Sequence, residues 1–254
     1  MNYAMNYALE TRGLCKRFGA IEVTKSVDLK IEHGARHALI GPNGAGKTTL
    51  VNLCTGMFKP SSGAILLNGS DITSVSAQRR VGGGLVRTFQ INTLFNGLTV
   101  AENLAIPVAQ RLGRSWKPWG RSSGDAAVAA DVVRLMDELN LLALASKKIA
   151  DLAYGQRRLV EIAIAMALEP KVLLLDEPAA GIPNGESGMI LDLLERLPDA
   201  MSIVFIEHDM NLVFRFARRI SVLVEGAVLI EGSVDEIRKD QRVRDVYLGR
   251  RHHD

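Results

Sequence analysis

The chain has 254 residues, 47 % of them hydrophobic, enough for one large domain or a domain with a subdomain around a packed core. Its 31 basic and 28 acidic side chains leave a net charge of only +3, which argues against nucleic acid as the main partner because phosphate binding needs a concentrated basic face. The two cysteines cannot form a disulfide framework, the N-terminus does not resemble a signal peptide, and no apolar run approaches the roughly 18 residues of a membrane-spanning helix. We therefore expect an intracellular protein that reaches a membrane only through a partner.

The first part of the chain predicts strands around a glycine-rich turn. Residues 1–8 repeat Met-Asn-Tyr-Ala and are predicted to be a flexible start, because chain ends are commonly disordered unless they are tied down. Alternating apolar residues after them are typical of half-buried antiparallel strands. The expected elements are strands at 9–15, 20–31, 36–40 and 64–67, the last closing at the turn dipeptide Asn68-Gly69, and a helix at 48–57.

The middle of the chain, from about 91 to 168, predicts helices. Thr99 and Glu102 have the spacing of a capping box at the start of a helix over 99–112. Apolar residues from Val128 to Leu139 follow one helix face. Between these helices, residues 113–125 hold both tryptophans and have the composition of a loop.

The last part of the chain alternates strands with helices, which is typical of a parallel sheet covered on both faces. We therefore predict an α/β fold: a mainly parallel core sheet flanked by helices, an N-terminal antiparallel β subdomain, and an inserted α-helical subdomain. The core is expected at about 9–90 and 169–254, and the helical subdomain at about 91–168. The expected elements of this last part are strands at 171–175, 202–206 and 220–224 and helices at 186–197 and 209–217.

The glycine-rich turn has the pattern of a phosphate-binding loop. It lies between a strand and a helix, where glycines let backbone N–H groups point at phosphate oxygens and the helix N-terminus adds positive potential. In such loops the lysine reaches the β- and γ-phosphates and the following hydroxyl ligates Mg²⁺. ATP or GTP is the expected ligand, and the core resembles that of P-loop NTPases. The predicted nucleotide-binding residues of this loop are Asn43, Gly44, Ala45, Gly46, Lys47, Thr48 and Thr49.

Two carboxylates follow the apolar strand at 172–175. Asp176 is predicted to hold Mg²⁺, directly or through water, together with Thr48. Glu177 is placed one residue later to polarise the attacking water as general base. Such a pair alone also fits an ordinary polar strand end; its combination with the phosphate loop favours catalysis.

A third motif is Leu152-Ala153-Tyr154-Gly155-Gln156, at the start of an amphipathic helix with a predicted apolar face of Leu159, Ile162, Ala163, Met166 and Ala167. It resembles the signature motif of ATP-binding-cassette ATPases, which is most often Leu-Ser-Gly-Gly-Gln. Here Ala153 replaces the serine and Tyr154 the first glycine. Backbone N–H groups and the helix N-terminus remain, so Ala153, Tyr154, Gly155 and Gln156 are expected to contact nucleotide.

The resemblance covers about residues 9–249 and implies further roles. Gln90 is similar to the glutamine that touches Mg²⁺ and the attacking water, and His208 to the histidine that contacts the γ-phosphate. Phe18, with Val23 beside it, resembles the aromatic residue that stacks on adenine. A single glutamine or phenylalanine most often has only a structural role in the core or on the surface. The order and spacing of Phe18, Gln90 and His208 relative to the other motifs favour the functional roles. Pro183 stands where the family usually has a dimer-contact aspartate, so this contact is expected to differ.

Several stretches look closest to the ATPases of branched-chain amino acid importers, among them the signature with Tyr154 and the run Pro178–Gly181. The resemblance implies Mg-ATP hydrolysis at the cytoplasmic face of the inner membrane, with Lys47, Gln90, Glu177 and His208 as catalytic residues. It also implies membrane permease subunits, a second identical or different cassette, an indirect periplasmic binding protein, and no nucleic acid. The alternatives are the ATPase of a lipopolysaccharide or lipid exporter, since the tail Val246–Gly249 is similar there too, and a soluble cassette ATPase without a transport role.

Overall fold

The structure is a computed structural model and describes residues 7–88, 94–114, 125–182 and 187–248. Its strands are β1 (Tyr7–Phe18), β2 (Ile21–Glu32), β3 (Arg36–Ile40), β4 (Ser62–Leu67), β5 (Ser70–Asp71), β6 (Leu85–Arg87), β7 (Val172–Asp176), β8 (Ser202–Ile206), β9 (Arg219–Val224) and β10 (Ala227–Ser233). Its α-helices are α1 (Lys47–Cys54), α2 (Ala77–Gly82), α3 (Val100–Arg111), α4 (Ala126–Glu138), α5 (Tyr154–Met166), α6 (Ser187–Glu195), α7 (Met210–Phe216), α8 (Val234–Lys239) and α9 (Gln241–Leu248).

Contacts divide the chain into two compact units. The first comprises Met1–Arg87, Lys171–Glu177 and Asp199–Asp254, and the second comprises Thr88–Pro170 and Pro178–Pro198. The stretch that contains α6, which the sequence assigned to the core, therefore groups with the helical unit. The reason is that α6 packs against α5.

The first unit contains a six-stranded sheet in the order β10-β9-β3-β8-β7-β6. All neighbours are parallel except β10, which pairs antiparallel with β9. Every residue of β3, β7 and β8 is buried, which explains the nearly continuous apolar sequences of β7 and β8. β3 is the exception, because it also buries Arg36 and His37. The predicted mainly parallel α/β sheet is confirmed.

The first unit also contains an antiparallel sheet in the order β2-β1-β4-β5. The turn from β4 to β5 has Asn68 at φ 49° and Gly69 at φ 78°, as a two-residue hairpin requires. β1 begins at Tyr7 and Ala8 is buried, so the strand starts two residues before its expected start at residue 9, and the last two residues predicted to be flexible belong to it. The antiparallel sheet predicted near the N-terminus is confirmed.

The second unit is built from α3, α4, α5 and α6, with two short 3-10 helices at Leu142–Leu144 and Ile149–Asp151. The capping box of α3 is present: Thr99 Oγ1 accepts from the Glu102 N–H at 3.2 Å, and Glu102 Oε2 accepts from the Thr99 N–H at 2.7 Å. The predicted face of α4 is also buried. No helix in the described ranges is both long and apolar enough to cross a bilayer.

The predicted apolar face of α5 is too narrow. Leu159 is only partly buried, whereas Val160 and Ala165 are fully buried. Arg158 is also buried, and its Nη1 donates to Glu161 Oε2 at 2.6 Å. α5 is therefore packed around most of its circumference, which a pattern search for one apolar face does not anticipate.

Candidate nucleotide site

The phosphate loop joins β3 to the N-terminus of α1, and its glycines are required by close backbone packing. Gly41 has φ 151°, and a Cβ added there would lie 2.1 Å from the Leu223 carbonyl oxygen. Gly46 has φ 95°, and a Cβ there would lie 2.7 Å from the Val23 carbonyl oxygen. Because no side chain fits at either position, the loop can take this path only with glycine. Asn43 and Gly44 are exposed at its outer edge.

Lys47 is the first residue of α1 and is almost completely buried. Its Nζ donates to the carbonyl oxygens of Gly41 at 2.7 Å and Pro42 at 3.0 Å, which directs the ammonium group along the loop. Burial lowers the pKa of Lys47, and the nearby carboxylates of Glu177 and Asp176 partly offset this. The next residue, Thr48, is exposed and Thr49 is half-buried, so the Thr48 hydroxyl is accessible to a ligand.

The turn between β9 and β10 supports the phosphate loop, which the sequence did not reveal. The Gly226 N–H donates to the Ala45 carbonyl at 3.1 Å, and the Lys25 N–H donates to the Gly226 carbonyl at 2.7 Å. Glu225-Gly226 after an apolar strand is a recognisable turn signal, but nothing in the sequence connects it to a loop so far away in the chain.

Asp176 ends β7 and is 2 % exposed. Its Oδ2 pairs with Arg87, whose Nη1 also donates to Asn52 Oδ1 of α1 at 2.6 Å. Its Oδ1 is buried and has no hydrogen-bond partner in the described part of the chain. An unpartnered carboxylate oxygen is a suitable ligand for Mg²⁺ or for water bound to it, so Asp176 fits the expected ion. Arg87 is a functional candidate that the sequence reasoning did not single out.

Glu177 and His208 are in direct contact. Glu177 has φ 50° and its N–H donates to the Ile206 carbonyl at 2.9 Å, which holds it beside the end of β8. Its Oε1 lies 2.8 Å from His208 Nε2, and with the carboxylate ionised this nitrogen is the donor. Both side chains are partly exposed, so water and a phosphate can reach them.

The segment after β8 is held in place by acidic side chains. Glu207 is buried, and its Oε2 accepts from the His208 N–H at 3.0 Å. Asp209 caps α7 through its Oδ1, which accepts from the Asn211 N–H at 2.8 Å. These bonds fix the backbone on both sides of His208.

The predicted adenine contact, Phe18, is 44 % exposed at the end of β1. Phe58 packs edge-on against its ring with centroids 5.4 Å apart, and Lys16 Nζ lies 4.9 Å from its centroid. Val23 is partly buried, and its carbonyl lies against Gly46. Gln90, together with Trp116, Trp119 and Pro183, lies outside the described residues.

The signature residues belong to the second unit. Ala153 precedes α5, and its N–H donates to Gln156 Oε1 at 3.2 Å. Gly155 is buried and Tyr154 is 48 % exposed. Arg157 donates to the carbonyls of Leu152 at 3.1 Å and Ala150 at 2.9 Å.

The burial of Arg158 corrects one expectation. Two consecutive arginines at the start of a helix are expected, from their charge alone, to lie on a solvated helix face or at an interface with another cassette. Arg158 instead forms the buried pair with Glu161 described above.

Comparison with known proteins agrees with this geometry. The family model for "ABC transporter" matches residues 24–180, more than half of the chain. The chain belongs to the ABC transporter family. A second model, for the branched-chain amino acid ATP-binding cassette transporter, matches residues 228–253 of this cassette.

Two curated relatives are similar to the cassette over nearly its whole length. The high-affinity branched-chain amino acid transport ATP-binding protein BraF of Pseudomonas aeruginosa is 37 % identical over 250 residues, which is 95 % of this chain and 97 % of the relative. LivG of Escherichia coli, described in the same words, is 37 % identical over 249 residues, with the same coverage. The cassette identified from the signature and phosphate loop is thereby confirmed.

Solved structures support the fold. A crystal structure of the ADP conformation of an ATP-binding cassette of an ABC transporter superimposes with a TM-score of 0.83 at 28 % identity, covering 95 % of this chain and 98 % of that one. A nucleotide-free cassette gives a TM-score of 0.81 at 28 % identity, covering 94 % and 98 %. The cassette is therefore a nucleotide-binding ABC ATPase domain.

Proposed function

We propose that this chain is the Mg-ATP-hydrolysing subunit of an importer of branched-chain or related hydrophobic amino acids. The observation that best supports hydrolysis is the group of Lys47, Asp176, Glu177 and His208 in the first unit. Lys47 supplies a positive charge and Glu177 a base in contact with a histidine. Asp176 has one oxygen that no described residue bonds, and this oxygen can accept an ion.

In this proposal the loop amides and Lys47 bind the phosphates, and Thr48 and Asp176 hold Mg²⁺, which when bound offsets charge on the β- and γ-phosphates. Glu177 accepts a proton from the attacking water. His208 Nε2 donates to Glu177 Oε1 and so orients this carboxylate. Gln90 and Phe18 remain proposed contacts for the attacking water and for adenine.

The substrate proposal comes from the relatives, because a cassette does not itself contact the transported solute. BraF and LivG are named for branched-chain amino acid transport, and the terminal match at 228–253 is to the same kind of transporter. We infer membrane permease subunits as partners, with the cassette bound at the cytoplasmic face of the inner membrane and a periplasmic binding protein acting indirectly.

The cassette is proposed to work with a second one, identical or different, so that Ala153–Gln156 of each contacts the nucleotide held by the other. Alone, the chain should then be largely monomeric without ATP and should hydrolyse slowly. Full activity from a strictly monomeric preparation, independent of protein concentration, would contradict shared sites.

The nucleotide assignment is tested by Lys47→Ala. Removing the charge over the phosphates should abolish tight Mg-ATP binding in a titration with fluorescent ATP. Lys239→Ala is the matched control, because this lysine is exposed on α8 and should leave binding unchanged. Near-normal affinity in Lys47→Ala would overturn the assignment of this loop.

The transport assignment needs the cassette assembled with membrane subunits in vesicles. Uptake of radiolabelled leucine, isoleucine or valine should depend on ATP and should fail with Glu177→Gln. ATP-driven movement of lipid in the opposite direction, with no amino acid uptake, would favour the exporter alternative.

A further inference from the structure

Tyr154, the first residue of α5, contacts the segment that follows Glu177. Its hydroxyl donates to the Ala180 carbonyl at 3.1 Å, 26 residues away in sequence. Its ring lies over Gly181, where an added Cβ would be 3.1 Å from the hydroxyl oxygen and 3.3 Å from two ring carbons. Gly181 has φ 75°, so a side chain here would be strained as well as crowded.

The segment contacted by Tyr154 is a tight turn between two buried residues. Pro178 and Ile182 are buried, whereas Ala180 and Gly181 between them reach the surface. The Ile182 N–H donates to the Ala179 carbonyl at 3.2 Å and closes the turn. The Tyr154 hydroxyl therefore holds the exposed middle of a turn whose ends are already packed.

The position of this turn in the chain gives the contact its significance. The turn begins directly after Glu177, and Ala180 follows Glu177 by three residues. Tyr154 lies in the signature, which contacts the partner cassette's nucleotide in the proposed function. The hydrogen bond from Tyr154 thus links the signature, which contacts the partner cassette's nucleotide, to the turn that follows Glu177, the proposed base for this cassette's own nucleotide.

We propose that Tyr154 is a positioning residue that couples the two nucleotide sites of the assembled transporter through its bond to the Ala180 carbonyl. The proposal rests on the proposed function. When the signature residues Ala153–Gln156 bind the partner's nucleotide, Tyr154 holds the turn after Glu177 in place. This contact thereby sets the orientation of Glu177. A glycine at position 154 has no hydroxyl and cannot form this link.

The variant Tyr154→Phe removes the hydroxyl but keeps the ring over Gly181. Tyr7→Phe is the matched control, since Tyr7 lies at the start of β1 and packs against Lys30. A hydrogen bond of this kind changes a local equilibrium by roughly two- to tenfold. In the free full-length chain, hydrogen exchange of the amides at 179–182 should therefore be two- to tenfold faster in Tyr154→Phe, and unchanged within the middle of α5.

The decisive measurement is steady-state ATP hydrolysis by the assembled transporter. If Tyr154 had only a structural role, its loss would not lower kcat while leaving KM for ATP unchanged. In Tyr154→Phe, kcat should fall about three- to tenfold with KM for ATP within twofold, and the Hill coefficient should move toward one. Gly181→Ala, which disturbs the same contact from the other side, should give the same split.

Unchanged exchange of the amides at 179–182 would overturn the proposal, and so would faster exchange with unchanged kcat and Hill coefficient. A rise in KM with kcat unchanged would also overturn it, because Tyr154 would then only bind nucleotide. Failure of the proposed function looks different: the wild-type transporter itself would show no hydrolysis that depends on Glu177.

Discussion

Replacing Arg87 by methionine should be among the most damaging single changes in the first unit. The Asp176 side chain is 1 % exposed and that of Arg87 9 %, so solvent hardly screens their ion pair. Methionine fills a similar volume but leaves the Asp176 carboxylate buried with neither oxygen paired among its described neighbours. Breaking a buried pair from one side costs about 3–5 kcal/mol. The hydrogen bond from Arg87 to Asn52 is lost in the same variant. Its contribution is not additive with that of the ion pair, so the expected loss stays at about 3–5 kcal/mol.

The matched control is Arg134→Met. Arg134 pairs with Asp131, Glu138 and Glu169, but its side chain is 51 % exposed, and exposed ion pairs contribute about 0–1 kcal/mol each. Urea unfolding of the nucleotide-free chain, followed by circular dichroism and tryptophan fluorescence, measures both variants. The number of ion pairs would predict a larger loss for Arg134→Met, whereas burial predicts a larger loss for Arg87→Met.

A double variant tests the cause. Arg87→Met with Asp176→Asn should be more stable than Arg87→Met alone, because the unpaired buried charge is gone. An Arg87→Met variant that loses less than about 1 kcal/mol, or a double variant no better than the single one, would refute this reasoning.

Two further predictions concern buried basic groups in the first unit. Burial lowers the pKa of His37 to about 4 from 6.5, with Glu231 raising it and Arg219 lowering it, so the folded state stays neutral while the unfolded chain takes up a proton. The free energy of unfolding should therefore keep its full value above pH 6.5 and fall by about 3 kcal/mol as the pH drops to 4. His37→Gln should reduce this loss. The loss would be absent if His37 took up a proton freely in the folded state. Arg80→Met should cost about 2–4 kcal/mol in thermal or urea unfolding, because its guanidinium donates four bonds of 2.6–2.9 Å to backbone carbonyls, while the exposed Arg79→Met should cost less than about 0.5 kcal/mol.

The sequence predicted those parts of the fold whose signals are local. β7 and β8 are buried on both faces and have apolar sequences, and β3 and β8 occur at the expected bounds. The α3 capping box needs only Thr99 and Glu102 at their spacing. By contrast, α8 and α9 were not predicted, because they are short and rich in charged residues. β10 was not predicted either, although its sequence begins with the apolar run Ala227–Ile230.

The contacts that shape the site were beyond prediction because they join distant residues. Arg87 and Asp176 are 89 residues apart, and Tyr154 and Ala180 are 26 apart. An arginine beside a polar motif has the composition of a surface residue, so its burial depends on a partner that no pattern identifies. The same holds for Arg158, although Glu161 three residues later was a local hint of an ion pair.

The variant Glu177→Gln tests whether the chain hydrolyses ATP with Glu177 as the base. Glutamine keeps the shape but cannot accept the proton. ATP binding and turnover are measured on one preparation of the cassette assembled with its partner subunits. Dimer formation is measured by size-exclusion chromatography. If Glu177 is the base, we expect ATP affinity within a few-fold of wild type, turnover reduced by about 10²–10⁴, and an ATP-bound dimer that persists. Turnover within a few-fold of wild type would contradict this role of Glu177.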